Sequence, residues 1–153
     1  MICDLVERAR VCGFPVSAAG RGHKWLPHFC RSTPNTVWKH YGLTPEQAER
    51  GRLNPKMFNS FLDGSKPSIE STAVANPTGL EFLSNGLLYP PASIEDIPVV
   101  IRPKSDRGVL EKKGMVKVIS SLNPDGSPID YDIRMGVWVT VEAETEYIKN
   151  CFE

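Results

Sequence analysis

No stretch of this 153-residue sequence is long and apolar enough to span a bilayer. The opening MICDLVERARVCG carries acidic residues where a secretory leader has a basic run followed by an apolar one. Both absences lead us to expect a cytoplasmic protein with no membrane partner. The four cysteines, Cys3, Cys12, Cys30 and Cys151, contain no CxxC pair and are expected to be reduced thiols rather than a disulfide framework. Net charge is also missing: Lys+Arg and Asp+Glu both number 18. That removes the global electrostatic case for nucleic acid or an anionic membrane. No GxGxxG follows a strand and no GxxxxGK[ST] occurs, so the chain encodes no dinucleotide-binding unit of its own. His23, His28 and Cys30 fall in no standard zinc spacing, and no metal site is expected from them. The three histidines accompany no nucleophile motif.

What is present suits one globular domain, residues 1–153, with 41% hydrophobic and 24% charged residues. Ile2, Leu5, Val6, Ala9 and Cys12 recur at helical spacing, and Gly13 ends that helix. FPVSAAG reads as a strand leading into a glycine turn. A Gly- and Pro-rich irregular segment follows, then a short helix over NTVWKHY. Thr44, Pro45 and Gln47 spell a capping box with Gly51 as the stop. Asn54 and Pro55 open the next helix, in which Phe58, Leu62, Ile69 and Ala73 suggest an apolar stripe and Asn76-Pro77 the close. Pro67 sits in its middle, and an interior proline clashes with the carbonyl four residues back, here that of Asp63. A kink or break is expected at 63–67. Beyond residue 80 the pattern changes. LLYPPASIEDIP reads as loop, VVIRP as a short strand, and GMVKVIS and GVWVTVEA as good strands, with YDIR a possible third between them. NPDGSP at 123–128 has hairpin-turn chemistry. The fold class expected is α+β, helices packed on one face of a mostly antiparallel, mixed sheet.

Three stretches could carry chemistry. In FNSFLDGSKPSIE, Asn59, Asp63, Lys66 and Glu70 share one face of a regular helix. Spacing alone favours ordinary surface pairs worth a few tenths of a kcal/mol. Against that, Asn, Ser and Asp are poor helix formers, and DGSKP places Gly and Pro mid-helix, a local violation of the kind functional sites show. A lysine beside an aspartate can donate a proton or stabilise negative charge on a carbonyl oxygen. In AAGRGHKW, the amides of a Gly20–Gly22 turn and Lys24 could bind a phosphate, or the segment is a surface turn. Arg31, Ser32 and Thr33 before Pro34 could hold an anion, and loop composition explains them equally well. Trp25, Trp38 and Trp138 read as core.

AAGRGHKWLP, RSTPNTVWKHYGLTPEQA, LNPKMFNSFLDGSK, ESTAVANPTGL and GVLEKKGMVKVISSL, in this order, resemble the catalytic domain of the deoxyxylulose-phosphate reductoisomerase-like oxidoreductases. These are also described as homoserine-dehydrogenase-like and often carry a SAF domain. The resemblance runs through nearly the whole chain. It implies a substrate domain working with an amino-terminal Rossmann domain that carries NADPH. The reaction implied is reduction or reductive rearrangement of a phosphorylated ketose, as in isoprenoid biosynthesis, or of a related sugar acid or polyol. It places Asn59, Asp63 and Lys66 at the reaction centre, with Lys66 as proton donor or oxyanion partner and Asp63 orienting it. Lys24 and Arg31 would meet the phosphate, with Gly22, Ser60 and Glu70 also against the substrate. DGSK is similar to the Asp-to-Lys segment of homoserine dehydrogenases, which use a lysine beside the reacting carbonyl.

Two positions depart from the family pattern: Pro67 follows the lysine, and GRGHK stands where GKGTK is expected. Neither a Rossmann nor a SAF domain is expected within these residues. The Rossmann partner would then act in cis or in trans, and a homo-oligomer is expected. The resemblance leaves open whether a divalent metal takes part. The competing expectation is a non-catalytic remnant, serving oligomerisation or metabolite binding.

Overall fold

A computed structural model describes residues 1–82 and 87–152. The chain is an α+β fold whose elements run in this order: α1 (Ile2–Val11), β1 (Val16–His23), a 3-10 turn (Pro27–Arg31), α2 (Val37–Tyr41), α3 (Pro45–Arg50), α4 (Pro55–Leu62), α5 (Ser65–Thr78), α6 (Ile97–Val100), a second 3-10 turn (Lys104–Asp106), β2 (Met115–Ser120), β3 (Val137–Val141) and α7 (Glu146–Phe152). The sheet order is β2-β1-β3, with β1 parallel to β2 and antiparallel to β3. The two late strands do not pair with each other, as a simple hairpin would require. The first strand of the chain lies between them.

The two longest helices, α1 and α5, lie on one sheet face. There Val6 and Leu80 pack with Ala19 and Val116, joined by Val74, Ala75 and Val139. The other face is covered by α6 and the irregular chain around it, through Ile97, Ile101 and Leu110 against Ala18, Met115, Ile119 and Trp138. A third cluster holds α2 against α4: Val37 and Leu62 pack with Leu26, Phe29 and Leu122.

Local rules placed the helix starts. Thr44 accepts from the Gln47 amide and Gln47 Oε1 from the Thr44 amide, the reciprocal capping box. Asn54 Oδ1 caps the amides of Lys56 and Met57, and Pro55 needs no partner for a missing N–H. The expected break is found at Asp63–Gly64, between α4 and α5. Gly64 takes φ +87°, a left-handed conformation that side-chain-bearing residues rarely adopt. Pro67 therefore falls in the first turn of α5, where an N–H would be an orphan in any case, and its buried ring packs without bending the helix.

Several expectations need correction. Residues 20–23 are not a turn: β1 continues to His23. Its glycines are there for close approach. A Cβ on Gly20 would lie 1.7 Å from the Lys117 carbonyl oxygen, and one on Gly22 2.3 Å from that of Ile133. The apolar stripe of α5 is rotated from the one expected. Ile69 is 70% exposed, and the inward row is Pro67, Ser71, Val74, Ala75 and Thr78. Small residues let α5 approach β2 closely. Pro77 does not close that helix; Gly79, at φ +68°, does. VVIRP is not a strand, since α6 occupies its first residues. YDIR forms only one bridge, Arg134 to Gly22. NPDGSP does turn, through bonds from Gly126 N to Asn123 O and from Asn123 N to Ser127 O, but it joins no strand pair of the sheet.

Candidate active site

The α4–α5 corner stands over the C-terminal end of β1, and strand periodicity decides what it meets. Arg21 and His23 project from the face that carries Ala19, toward α5. His23 Nε2–H donates to the Phe61 carbonyl, one of the last four of α4 that lack helical partners. That bond fixes the tautomer. Burial is the main cause holding the imidazole pKa below its usual 6.5, and the nearby Arg21 and Lys66 charges act the same way. The neutral ring leaves Nδ1 as a buried acceptor with no partner.

Of the residues expected at the reaction centre, Asn59 and Asp63 meet directly. The buried Asn59 donates through Nδ2 to Asp63 Oδ2 at 2.9 Å, while Asp63 Oδ1 accepts from the Ser65 amide at 2.9 Å. Lys66 Nζ lies 3.7 Å from Glu70 Oε1 and 4.2 Å from the centre of the Phe61 ring. Glu70, rather than Asp63, is the carboxylate against Lys66. Its other oxygen accepts from Arg21 NH1.

Four expected substrate contacts lie elsewhere or are engaged. Lys24 donates to the His40 carbonyl at 3.0 Å and its ammonium is 5.8 Å from the Tyr41 ring centre. Arg31 is exposed at the end of the 3-10 turn. The Ser60 hydroxyl donates back to Met57 O at 2.7 Å. Gly22 N–H is taken by the Gly136 carbonyl at 3.0 Å, so it offers no amide to a phosphate.

An open cleft of about 370 Å³ runs beside the corner, lined by Trp25, Cys30, Asp63, Gly64, Ser65, Ser68, Leu87 and Tyr89. Trp25 and Tyr89 form one wall, their rings stacked at 4.2 Å and 13°. The Tyr89 hydroxyl is buried without a partner, and a Cβ on Gly64 would come within 3.3 Å of it. Burial first, and the Asp63 charge second, push its pKa far up, so it stays protonated as a donor.

Seven buried side-chain nitrogen or oxygen atoms lack a partner among the described residues, and five belong to Arg21, His23, Trp25, Asn59 and Tyr89. Folded proteins rarely leave such groups without partners, and five of the seven gather at one end of the sheet. The AAGRGHKW candidate contains Arg21 and His23 but gives neither a role at the α4–α5 corner, and the sequence does not single out Tyr89. A period-2 reading of VSAAGRGH would have put Arg21 and His23 on one face; nothing local pointed to Tyr89.

Two cofactor questions can be put to these residues. The one Gly-x-Gly lies inside β1, its Cβ positions blocked and its Gly22 amide used, so the described residues form no dinucleotide cradle. Nor do they hold a group of three or more His, Cys, Asp or Glu side chains placed to bind a metal ion. Among the described residues no helix is long and apolar enough to cross a membrane.

The chain belongs to the family described as oxidoreductase DRL, catalytic domain, which matches residues 1–153. No curated protein matches it.

Proposed function

We propose that this oxidoreductase catalytic domain binds a small phosphorylated ketose, or a related sugar or polyol, and presents the carbonyl, or in a polyol the hydroxyl-bearing carbon, to a nicotinamide cofactor held by a Rossmann domain in cis or in trans. The observation that carries this reading is the placing of two pairs, Asn59 with Asp63 and Lys66 with Glu70, on either side of the α4–α5 break, near the unpartnered polar atoms of β1. Lys66 holds a proton for the substrate oxygen and stabilises the negative charge that develops there. Glu70 keeps the ammonium aimed, and the Phe61 face supports it. Asp63, fixed by Asn59 and the Ser65 amide, accepts from substrate hydroxyls on the cleft side. Tyr89 adds a neutral donor on the opposite wall. NADPH is the cofactor that the family resemblance implies, held by the Rossmann domain. A homo-oligomer remains part of the proposal.

The test is NADPH oxidation with phosphorylated ketoses, by the chain alone and with a separate Rossmann protein added. Turnover is expected only in the second case, and Lys66→Ala is expected to abolish it without loss of fold. Full turnover in that variant removes Lys66 from the mechanism. Turnover by the chain alone ends the partner requirement. Binding of a sugar phosphate with no turnover under either condition favours the metabolite-binding alternative.

A further inference from the structure

Arg21 is the one cation among the described residues with a buried side-chain donor that has no partner. Its side chain is 12% exposed, yet of its five donors NH1 alone meets a carboxylate, that of Glu70. NH2 reaches only the Met135 sulfur, at 3.5 Å, a weak acceptor, and Nε is buried with no partner. Burying a guanidinium is costly unless its donors are filled, and among the described residues no acceptor fills this edge.

The NH2 end of that edge lies against a methionine. Met135 is an exposed, unbranched thioether in a turn where it takes φ +63°. The turn is pinned to β1 by bonds from Met135 N to Gly22 O at 3.1 Å and from Gly22 N to Gly136 O at 3.0 Å. Gly22 permits that contact, because any Cβ there would strike Ile133. The same glycine thus sets Met135 across Arg21.

We propose that the Nε–NH2 edge of Arg21 is the oxyanion-binding element of the site, and that Glu70 is an internal counter-ion which an incoming carboxylate or phosphate group partly displaces from Arg21 and Lys66. The proposal rests on the reading that this corner binds substrate, and it makes Arg21 the residue that selects anionic substrates. The guanidinium fork matches a carboxylate or a phosphate with two parallel bonds, which a lysine cannot copy. Glu70 serves two cations at once, so a ligand anion competes with it for both.

The test titrates the whole chain with inorganic phosphate and, in parallel, malonate, following the Arg21 Nε–H resonance by nitrogen–proton correlation at fixed ionic strength. Arg21→Lys assigns the resonance by removing it. The resonance is expected to shift on titration, with the tighter anion identifying the group recognised. Glu70→Gln is expected to lower the half-saturation concentration about tenfold by removing the competing charge. Met135→Ala, which keeps both ion pairs, is expected to lower it a few-fold. If the Trp25 indole resonance shifts while Arg21 Nε–H stays still, the cleft takes the anion without Arg21 and the proposal is wrong. No response anywhere, or no gain in both variants, also overturns it. Lys66→Ala retaining turnover would end the functional reading above without touching the Arg21 result.

Discussion

Glu70 and Glu111 each sit between a cation buried on a strand and a more exposed lysine. Glu111 meets Lys117 of β2 and Lys104, both at 3.3 Å, just as Glu70 meets Arg21 of β1 and Lys66. The two triads are alike in charge and differ in surroundings. Lys117 is 2% exposed in the middle of a wholly buried strand, where its ammonium finds Glu111 as its carboxylate. Arg21 keeps unfilled donors beneath an exposed methionine and near other unpartnered atoms, two of which, on Trp25 and Tyr89, belong to the wall of the cleft. A shared carboxylate therefore does not make a site. Unfilled hydrogen-bonding capacity next to accessible volume does.

The strongest way to break this comparison is to substitute the two lysines alike. Lys66→Met is expected to lower kcat of the reconstituted enzyme by about 10²–10⁴ with unfolding unchanged. Lys117→Met is expected to leave kcat near normal and to alter stability by at most about 1 kcal/mol, because an apolar side chain of similar volume replaces a buried charge. Equal loss of kcat in both would erase the distinction. Next in size, Glu111→Gln strands the Lys117 ammonium. Losing one partner of a fully buried pair costs 3–5 kcal/mol, and since Glu111 is 32% exposed we expect about 2 kcal/mol in urea unfolding. Gly64→Ala is expected to cost about 1 kcal/mol for the left-handed backbone and to weaken anion binding by crowding Tyr89.

The smallest effect sharpens the comparison through pH. The folded His23 pKa lies below the unfolded value near 6.5, mainly through burial. As pH falls below about 6.5 the unfolded chain gains a proton that the folded chain refuses, so stability is full above that value and declines beneath it. His40 shifts in the same direction, also by burial first. Thermal unfolding between pH 7.5 and 5.5 should therefore show a falling Tm. His23→Gln, which keeps a donor for Phe61, should flatten the slope by up to about 1 kcal/mol over that range. An unchanged slope would show that His23 is not held neutral.

What could be read from the sequence followed the range of the interaction responsible. The caps at Thr44 and Asn54 and the break at Gly64 depend on residues within a few positions, and all were legible. Spacing put Asn59, Asp63, Lys66 and Glu70 on one face of a single helix and favoured surface pairs; two helices carry them instead, as the pairs Asn59–Asp63 and Lys66–Glu70. The misreadings were non-local. Gly20 and Gly22 looked like a turn because the carbonyls of Lys117 and Ile133, which require them, are far along the chain. Ile69 looked like core because helix periodicity fixes a stripe but not which neighbour it faces. Tyr89 joins the cleft only through its stack on Trp25, and no sequence period links the two.

The parallel pairing of β1 with β2 has a kinetic consequence. Ala18 registers with Met115, so nearly everything that builds the corner belongs to one long crossover between neighbouring strands. Closing a loop of that size must precede the contacts that reward it, which raises contact order and slows folding. A ribosome-bound chain that has not yet emerged past β2 can wind α4 and α5, since their caps are local. It lacks the neighbour that holds β1 in place beneath them. Arg21 and His23 are thus expected to reach the corner only at the last step, making catalytic competence a late product of synthesis rather than a property of the helical hairpin.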